Sequence, residues 1–189
     1  MKITDRKTEI INAAAKLFKE KGYSAITMRD IAQAMDIKAA SLYNHIKSKQ
    51  EILALIVIEI AEEFTNTISQ IVISDDTNIQ KLEKVIQLHI DITLRNSDAL
   101  ACLNNDWMHL ATAELSYFIK MREDYEEYFR SIIVNGIANG EIKNINTEVI
   151  IFSILSTLRT LYLWYGKKKS LNPTVLKSNM KQVLLTGIV

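Results

Sequence analysis

The sequence predicts an all-α fold, and three observations predict it. Only 5 glycines and 1 proline occur in 189 residues, so the two residues that most disfavour a helix interior are nearly absent. Apolar side chains make up 48% of the chain and recur three and four residues apart rather than alternating. Residues that start and stop helices punctuate that pattern throughout. A chain of this length forms one large or two small domains around a sizeable core.

The elements follow in order. Ile10, Ala13, Ala14, Leu17 and Phe18 make a helical stripe over residues 5–21, and Gly22, after the basic Lys19–Lys21 turn, suits its C-terminus. Thr27, with Asp30 three residues on, starts a second helix in the manner of a capping box, with Ile31, Ala34 and Met35 inward. Asp36 falls where the chain must turn, and Asp tolerates a left-handed conformation. Residues 38–45 form a short third helix. Ser48 and Glu51 make a Ser-x-x-Glu box that opens a long fourth helix over 48–73. Further helices cover 78–95, Asp98 to about Leu110, 114–138 (ending near Gly140), 147–165 (opened by Asn146 or Thr147) and 173–186. The last begins at Asn172-Pro173, an N-cap followed by proline at the first helical position. About nine helices result, with no repeat and no low-complexity linker.

Charge is divided unevenly. Residues 1–50 carry 10 Lys/Arg against 5 Asp/Glu, a net +5, while residues 51–189 carry 13 against 17, a net −4. A basic module for a polyanion, residues 1–50, is thus expected to join a larger module, residues 51–189, through the fourth helix.

Several function classes are disfavoured. Cys102 is the single cysteine, which leaves neither a disulfide framework nor a thiolate metal site and fits a reducing cytoplasm. The opening MKITDRKTEI is charged where a signal peptide would be apolar. The apolar stretches near 53–61 and 149–165 are broken by Glu59 and Arg159, short of the run of about 18 apolar residues a membrane span needs, so no membrane partner is expected. No Gly-rich phosphate loop, H-E-x-x-H or nucleophile elbow occurs. His89 and His109 lack a second metal ligand at useful spacing, and Cys102 reads as a small buried hydrophobe. The chain is therefore expected to be no enzyme and to need no cofactor or metal. A helical-bundle carrier and a protein that coats DNA without sequence preference remain as alternatives.

The second and third helices, separated by Met35–Lys38, read as a helix-turn-helix. Ile31, Ile37, Leu42 and Ile46 would pack inward, leaving Lys38, Ala39, Ala40, Ser41, Tyr43, Asn44 and His45 around the exposed part of the third helix. Small residues at its start would let the backbone enter a major groove. Tyr43, His45 and Lys49 can hydrogen-bond phosphates, and the N–H groups near Ser48 and Lys49 form an anion site at a helix N-terminus. Thr27 and Arg29, opening the second helix, can do the same on the other side.

The segment TMRDIAQAMDIKAASLYNHIKSKQEIL resembles the DNA-binding segment of the tetracycline-repressor (TetR) family of bacterial regulators. The likeness covers about residues 6–55 and includes Phe18–Gly22, Thr27, Ile31-Ala32, Leu42-Tyr43, Lys47, Lys49 and Leu53. It implies dimeric binding of double-stranded DNA and a C-terminal module for a small-molecule effector. Position by position, it implies DNA contacts at Thr27, Arg29, Ser41, Tyr43, His45 and Lys49, with Lys38, Ala39, Ala40 and Asn44 facing bases or sugars. Asp36 departs from the family's usual Gly, and Ala39-Ala40 cannot hydrogen-bond a base. Readout would then rest on Arg29, Lys38, Ser41 and Asn44, with apolar contact to thymine methyls.

The C-terminal module is less explicit. The helix at 147–165 is apolar nearly all round, so one face can meet its own core and another a second copy. Phe152, Leu155, Leu158 and Tyr162, with Val175, Met180, Val183 and Leu184 of the last helix, are the expected homodimer residues. His89, Asn104, Trp107, Tyr117, Arg122, Tyr125, Phe129 and Phe152 are the candidates for a largely apolar effector pocket. The stretches MREDYEEYFRSII, NGIANGEI and LWYG look like a family branch that senses acyl-CoA or related lipid metabolites. That likeness implies that Arg122 and Lys167, Lys168 and Lys169 could meet a negative ligand group. A cytoplasmic, ligand-responsive repressor is the expectation.

Overall fold

The structure is a computed structural model and describes residues 6–167 and 171–189. Lys168 and Lys169 lie outside the described residues. Among the described residues there are eight α-helices and no strand: α1 Arg6–Lys21, α2 Met28–Ala34, α3 Ala39–Tyr43, α4 Lys49–Val72, α5 Asn78–Asn105, α6 Thr112–Ala138, α7 Thr147–Tyr165 and α8 Pro173–Thr186. Two short 3-10 turns, Tyr23–Ala25 and Trp107–His109, sit between α1 and α2 and between α5 and α6.

The boundaries have local causes. Thr27 caps α2 with a full capping box: its hydroxyl accepts from the Asp30 amide, and the Asp30 carboxylate accepts from the Thr27 amide at 2.8 Å. Asp36 takes the left-handed conformation the turn demands, at φ 53°. At α4 the Glu51 amide donates to Ser48 Oγ at 3.0 Å. The reciprocal half of that box is shifted by one residue, because the Glu51 carboxylate accepts from the Lys47 amide at 2.8 Å. Asn146 and Asn172 cap α7 and α8 through their side chains, and Pro173 opens α8.

The break expected between residues 95 and 98 is present. Asn96 departs from helical geometry at φ −134°, ψ 44°, so α5 is two helical segments that meet at a kink. Just beyond it, the Asp98 carboxylate meets Lys19 of α1 at 2.7 Å.

The chain divides into two compact units that are interleaved in sequence. The first runs up to Glu62 and also contains Asp98–Lys120; the second contains Glu63–Ser97 and Met121–Val189. Helices α4, α5 and α6 each contribute to both. Ile10, Phe18, Ile31, Leu42, Ile46, Leu53 and Cys102 are core residues of the first unit, and Leu82, Ile86, Phe129, Ile133, Ile154 and Leu158 of the second. On α2 the buried pair is Ile31 and Ala32, with Ala34 exposed. Cys102 is buried with its Sγ 3.8 Å from the Ala15 carbonyl, and burial pushes its thiol up to about 12. In the second unit, Gly136 leaves no room for a side chain. A Cβ there would lie 2.5 Å from Ile142 Cδ1, and the turn beyond it brings Glu141 to the Asn78 side chain at 2.8 Å, tying down the start of α5.

By length and composition alone α7 could cross a membrane despite Arg159. Seven of its side chains, Ile150, Ile151, Ile154, Leu155, Leu158, Leu161 and Tyr162, are buried among the protein's own helices.

Candidate nucleic-acid interface

The first unit presents α3 with one face inward and the other open. Leu42 and Ile46 are fully buried, which fixes the rotation of α3 and turns the intervening residues outward. Lys38, Ala40, Ser41, Tyr43, Asn44 and His45 are exposed, and Ala39 is half-buried. Tyr43 is 53% exposed, so its ring and phenol are open to solvent beside these groups. Thr27 and Arg29 at the start of α2 are exposed as well. The Thr27 hydroxyl donates to Asp30 at 2.6 Å, and this bond holds the Asp30 carboxyl below its ordinary range.

Lys49 is placed differently from the other expected contacts. Its Nζ donates to the carbonyls of Tyr23 at 2.8 Å and Ile26 at 2.7 Å, and lies 4.1 Å from the centre of the Tyr23 ring. Elsewhere on the first unit, an open groove of about 640 Å³ is lined by Ala54, Leu55 and Ile58 and rimmed by Glu51, Glu59, Glu62 and Glu114. Four carboxylates against the single ammonium of Lys47 leave its rim net negative, which disfavours a phosphate there.

The effector candidates are divided between the two units. Asn104, Trp107 and Tyr117 belong to the first unit, and His89, Arg122, Tyr125, Phe129 and Phe152 to the second. Asn104 donates to its own helix at the Leu100 carbonyl (2.8 Å), Trp107 stacks near Phe118 (5.6 Å), and Tyr117 donates to Glu62 (3.0 Å). Arg122 is exposed, Phe129 is fully buried, and Phe152 is 72% exposed, so it faces away from the interior. His89 and Tyr125 do meet, with Nε2 and the phenol oxygen 2.7 Å apart, and Phe64 packs 4.6 Å from the His89 ring. Burial, aided by the Arg159 charge, lowers the His89 pKa to about 3, so the imidazole is neutral. Burial likewise raises the Tyr125 phenol.

Thr93, one helical turn beyond His89, is buried and its hydroxyl makes no hydrogen bond among the described residues. The sequence reading missed Phe64, Thr93 and Arg159. The usable signals were the four-residue spacing of His89 and Thr93 and the one basic residue of α7, whose other charge, Glu148, lies in its first turn. No group of three His, Cys, Asp or Glu side chains among the described residues could hold a metal ion.

The homodimer candidates separate by face. Phe152, Val175 and Val183 point outward, Val183 at 73% exposure, and Met180 and Leu184 are half-buried. Leu155, Leu158 and Tyr162 are each only 2% exposed, so they belong to the chain's own core. Val149, Leu163 and Trp164 join the outward set on α7.

Comparison with known proteins decides the family. Residues 10–56 match the model of bacterial regulatory proteins of the tetR family, and residues 75–188 match that of the tetracycline repressor-like C-terminal domain. The chain belongs to the TetR family. Its relatives include the HTH-type transcriptional repressor KstR2 of Rhodococcus jostii, 25% identical over 97% of this chain and 91% of that protein. The solved structure of the ketosteroid regulator KstR2 of Mycobacterium tuberculosis has a TM-score of 0.91 at 21% identity, covering 100% of this chain and 97% of the other. A structure of AibR in complex with isovaleryl coenzyme A and operator DNA has a TM-score of 0.79 at 20% identity, covering 95% and 97%. In this TetR-family chain the helix-turn-helix of the first matched segment is α2 and α3, and the second matched segment spans α5 to α8.

Proposed function

We propose that this TetR-family protein is a cytoplasmic, ligand-responsive repressor that binds a palindromic operator as a homodimer. The observation that carries the reading is the outward row on α3. Six exposed side chains that can donate, accept or slip past a base edge surround a helix anchored by Leu42. In the proposed complex Tyr43, His45, Thr27 and Arg29 hold phosphates, while Lys38, Ser41 and Asn44 reach base edges and Ala39 and Ala40 give close approach. The outward apolar stripe Val149, Phe152, Leu163 and Trp164, with Val175 and Val183 on α8, supports a second copy as partner, since exposed apolar side chains in such number call for cover. Two recognition helices related by two-fold symmetry would then set the half-site spacing.

The effector is a small, largely apolar molecule. The neutral His89–Tyr125 pair set against Phe64 supports that character, and the isovaleryl coenzyme A named for AibR supports an acyl-CoA or related lipid. Release follows if the effector favours a dimer with a different separation of recognition helices, with α4 as the tilting element. The test is selection of duplexes from a random DNA library by the purified protein, with Tyr43→Ala as control. An enriched palindrome that the variant fails to enrich is the expected result. Equal retention of scrambled duplexes would instead mark a sequence-blind DNA-coating protein.

A further inference from the structure

Lys49 opens α4, the position from which a lysine could reach a phosphate, yet its ammonium is already occupied. An ammonium carries three N–H donors. Two of them are taken by the carbonyls of Tyr23 and Ile26 at 2.8 and 2.7 Å, and the face of the Tyr23 ring lies beside the charge at 4.1 Å. Burial lowers its pKa, so the charge is partly withdrawn from water. A phosphate would have to compete with two charge-assisted hydrogen bonds and a ring face made within the chain.

What those bonds hold is the turn Tyr23–Ile26. Ile26 directly precedes Thr27, the N-cap of α2, and Arg29 follows within the first turn of that helix. The same turn is gripped from another side. Tyr23 stacks on His109 at 5.1 Å and 23°, meets Phe18 edge-on at 5.1 Å, and the His109 carbonyl accepts from Gln50 at 3.2 Å. Lys49 and Gln50 of α4, Tyr23, and the Trp107–His109 turn between α5 and α6 thus close one clasp inside the first unit.

We infer that Lys49 is a positioning residue, the pin of a clasp that presents Thr27 and Arg29, and not a phosphate ligand. His109 is the outer jaw of the same clasp. The inference rests on the reading that Thr27 and Arg29 face DNA. A pinned turn presents them without an entropy cost at binding, whereas a phosphate ligand at Lys49 would add one released counterion to the salt dependence.

The experiment compares the full-length wild type with Lys49→Met, His109→Ala and, as the phosphate-contact control, Arg29→Ala. Binding is titrated against the duplex that wild type enriches, over a salt series, and amide exchange is followed across residues 26–30. Lys49→Met keeps the stem and drops the charge. It is expected to weaken binding about tenfold while its salt slope stays within about 0.3 of wild type, whereas Arg29→Ala loses about 0.9. Exchange at residues 26–30 is expected to speed up roughly tenfold in Lys49→Met and a few-fold in His109→Ala, as local opening becomes easier. A slope reduced by about 0.9 in Lys49→Met overturns the inference whatever else changes. Unchanged exchange in both variants overturns it too, and His109→Ala alone decides the point if Lys49→Met does not fold. If wild type enriches no duplex, the DNA reading fails, and the exchange arm still tests the pin.

Discussion

Two faces of this chain are open to solvent, and they differ in kind. The α3 face shows Lys38, Ser41, Tyr43, Asn44 and His45, hydrogen-bonding groups with one aromatic ring. The outward face of α7 shows Val149, Phe152, Leu163 and Trp164, with Ser153, Thr157 and Thr160 between them, the two threonine hydroxyls already bonded to their own helix. A face of donors and acceptors gains nothing from an apolar partner, because each group it buried would need a new hydrogen bond. A face of aromatic and aliphatic side chains gains by leaving water, at roughly 25 cal/mol per Å². In the proposed function the polar face meets DNA and the apolar face a second copy of the chain, and the contrast can be broken at either end.

The largest expected effect lies on the apolar face. A Phe152→Glu, Val183→Glu double variant should turn the dimer into a monomer in sedimentation and weaken operator binding by about two orders of magnitude, since half of the contacts are then lost. An unchanged sedimentation coefficient would remove these residues from the interface.

The interior sharpens the comparison next. His89 is neutral and buried beside Tyr125, with its pKa lowered from 6.5 to about 3. The unfolded chain binds this proton below pH 6.5 and the folded chain does not. Stability from this group is therefore complete above 6.5 and is lost as pH falls toward 3, at up to about 1.4 kcal/mol per pH unit. Urea unfolding of His89→Gln against wild type should show that slope removed. Equal slopes would mean that His89 charges in the folded state.

On the polar face, Tyr43→Ala should weaken binding about tenfold on every duplex tested, the signature of a phosphate contact. Asn44→Ala should change affinity least on a random duplex while shifting the preferred bases, by about 1–3 kcal/mol at the position it reads. Repeating the duplex selection with each variant separates the two roles. A uniform loss in Asn44→Ala would move it to the phosphate group.

Much of the helix-turn-helix was legible because its signals are local. Thr27 with Asp30, Asp36 at the turn, and the Leu42–Ile46 spacing depend on neighbours within four residues, and the structure has all three. The reading became unsafe wherever the deciding partner is distant or carries no residue-type signature. Lys49 looks like any lysine at a helix start, since the carbonyls that hold it lie 23 and 26 residues away and belong to the backbone. The Asp98 carboxylate pairs with Lys19, which lies 79 residues away in sequence, a partner that no local pattern names. On α7, Phe152 and Leu155 differ from 72% to 2% exposed, and the signal that separates them is only the weak polar run Ser153, Ser156, Thr157 and Thr160, which recurs at helical spacing on the outward side. The effector candidates were drawn from aromatic residues with a few polar ones, and residue type does not distinguish Tyr117, paired with exposed Glu62, from Tyr125, paired with buried His89.

The interleaving of the two units limits how this protein can be cut and recombined. The first unit needs Asp98–Lys120 as well as the residues up to Glu62, and Cys102, Leu110 and Phe118 from that later segment are buried. A fragment ending at residue 62 would lack these side chains and the His109 jaw of the clasp. A chimera that kept the native DNA-reading half and borrowed its sensing half from a relative would therefore have to exchange two separate stretches of gene and leave the one between them in place.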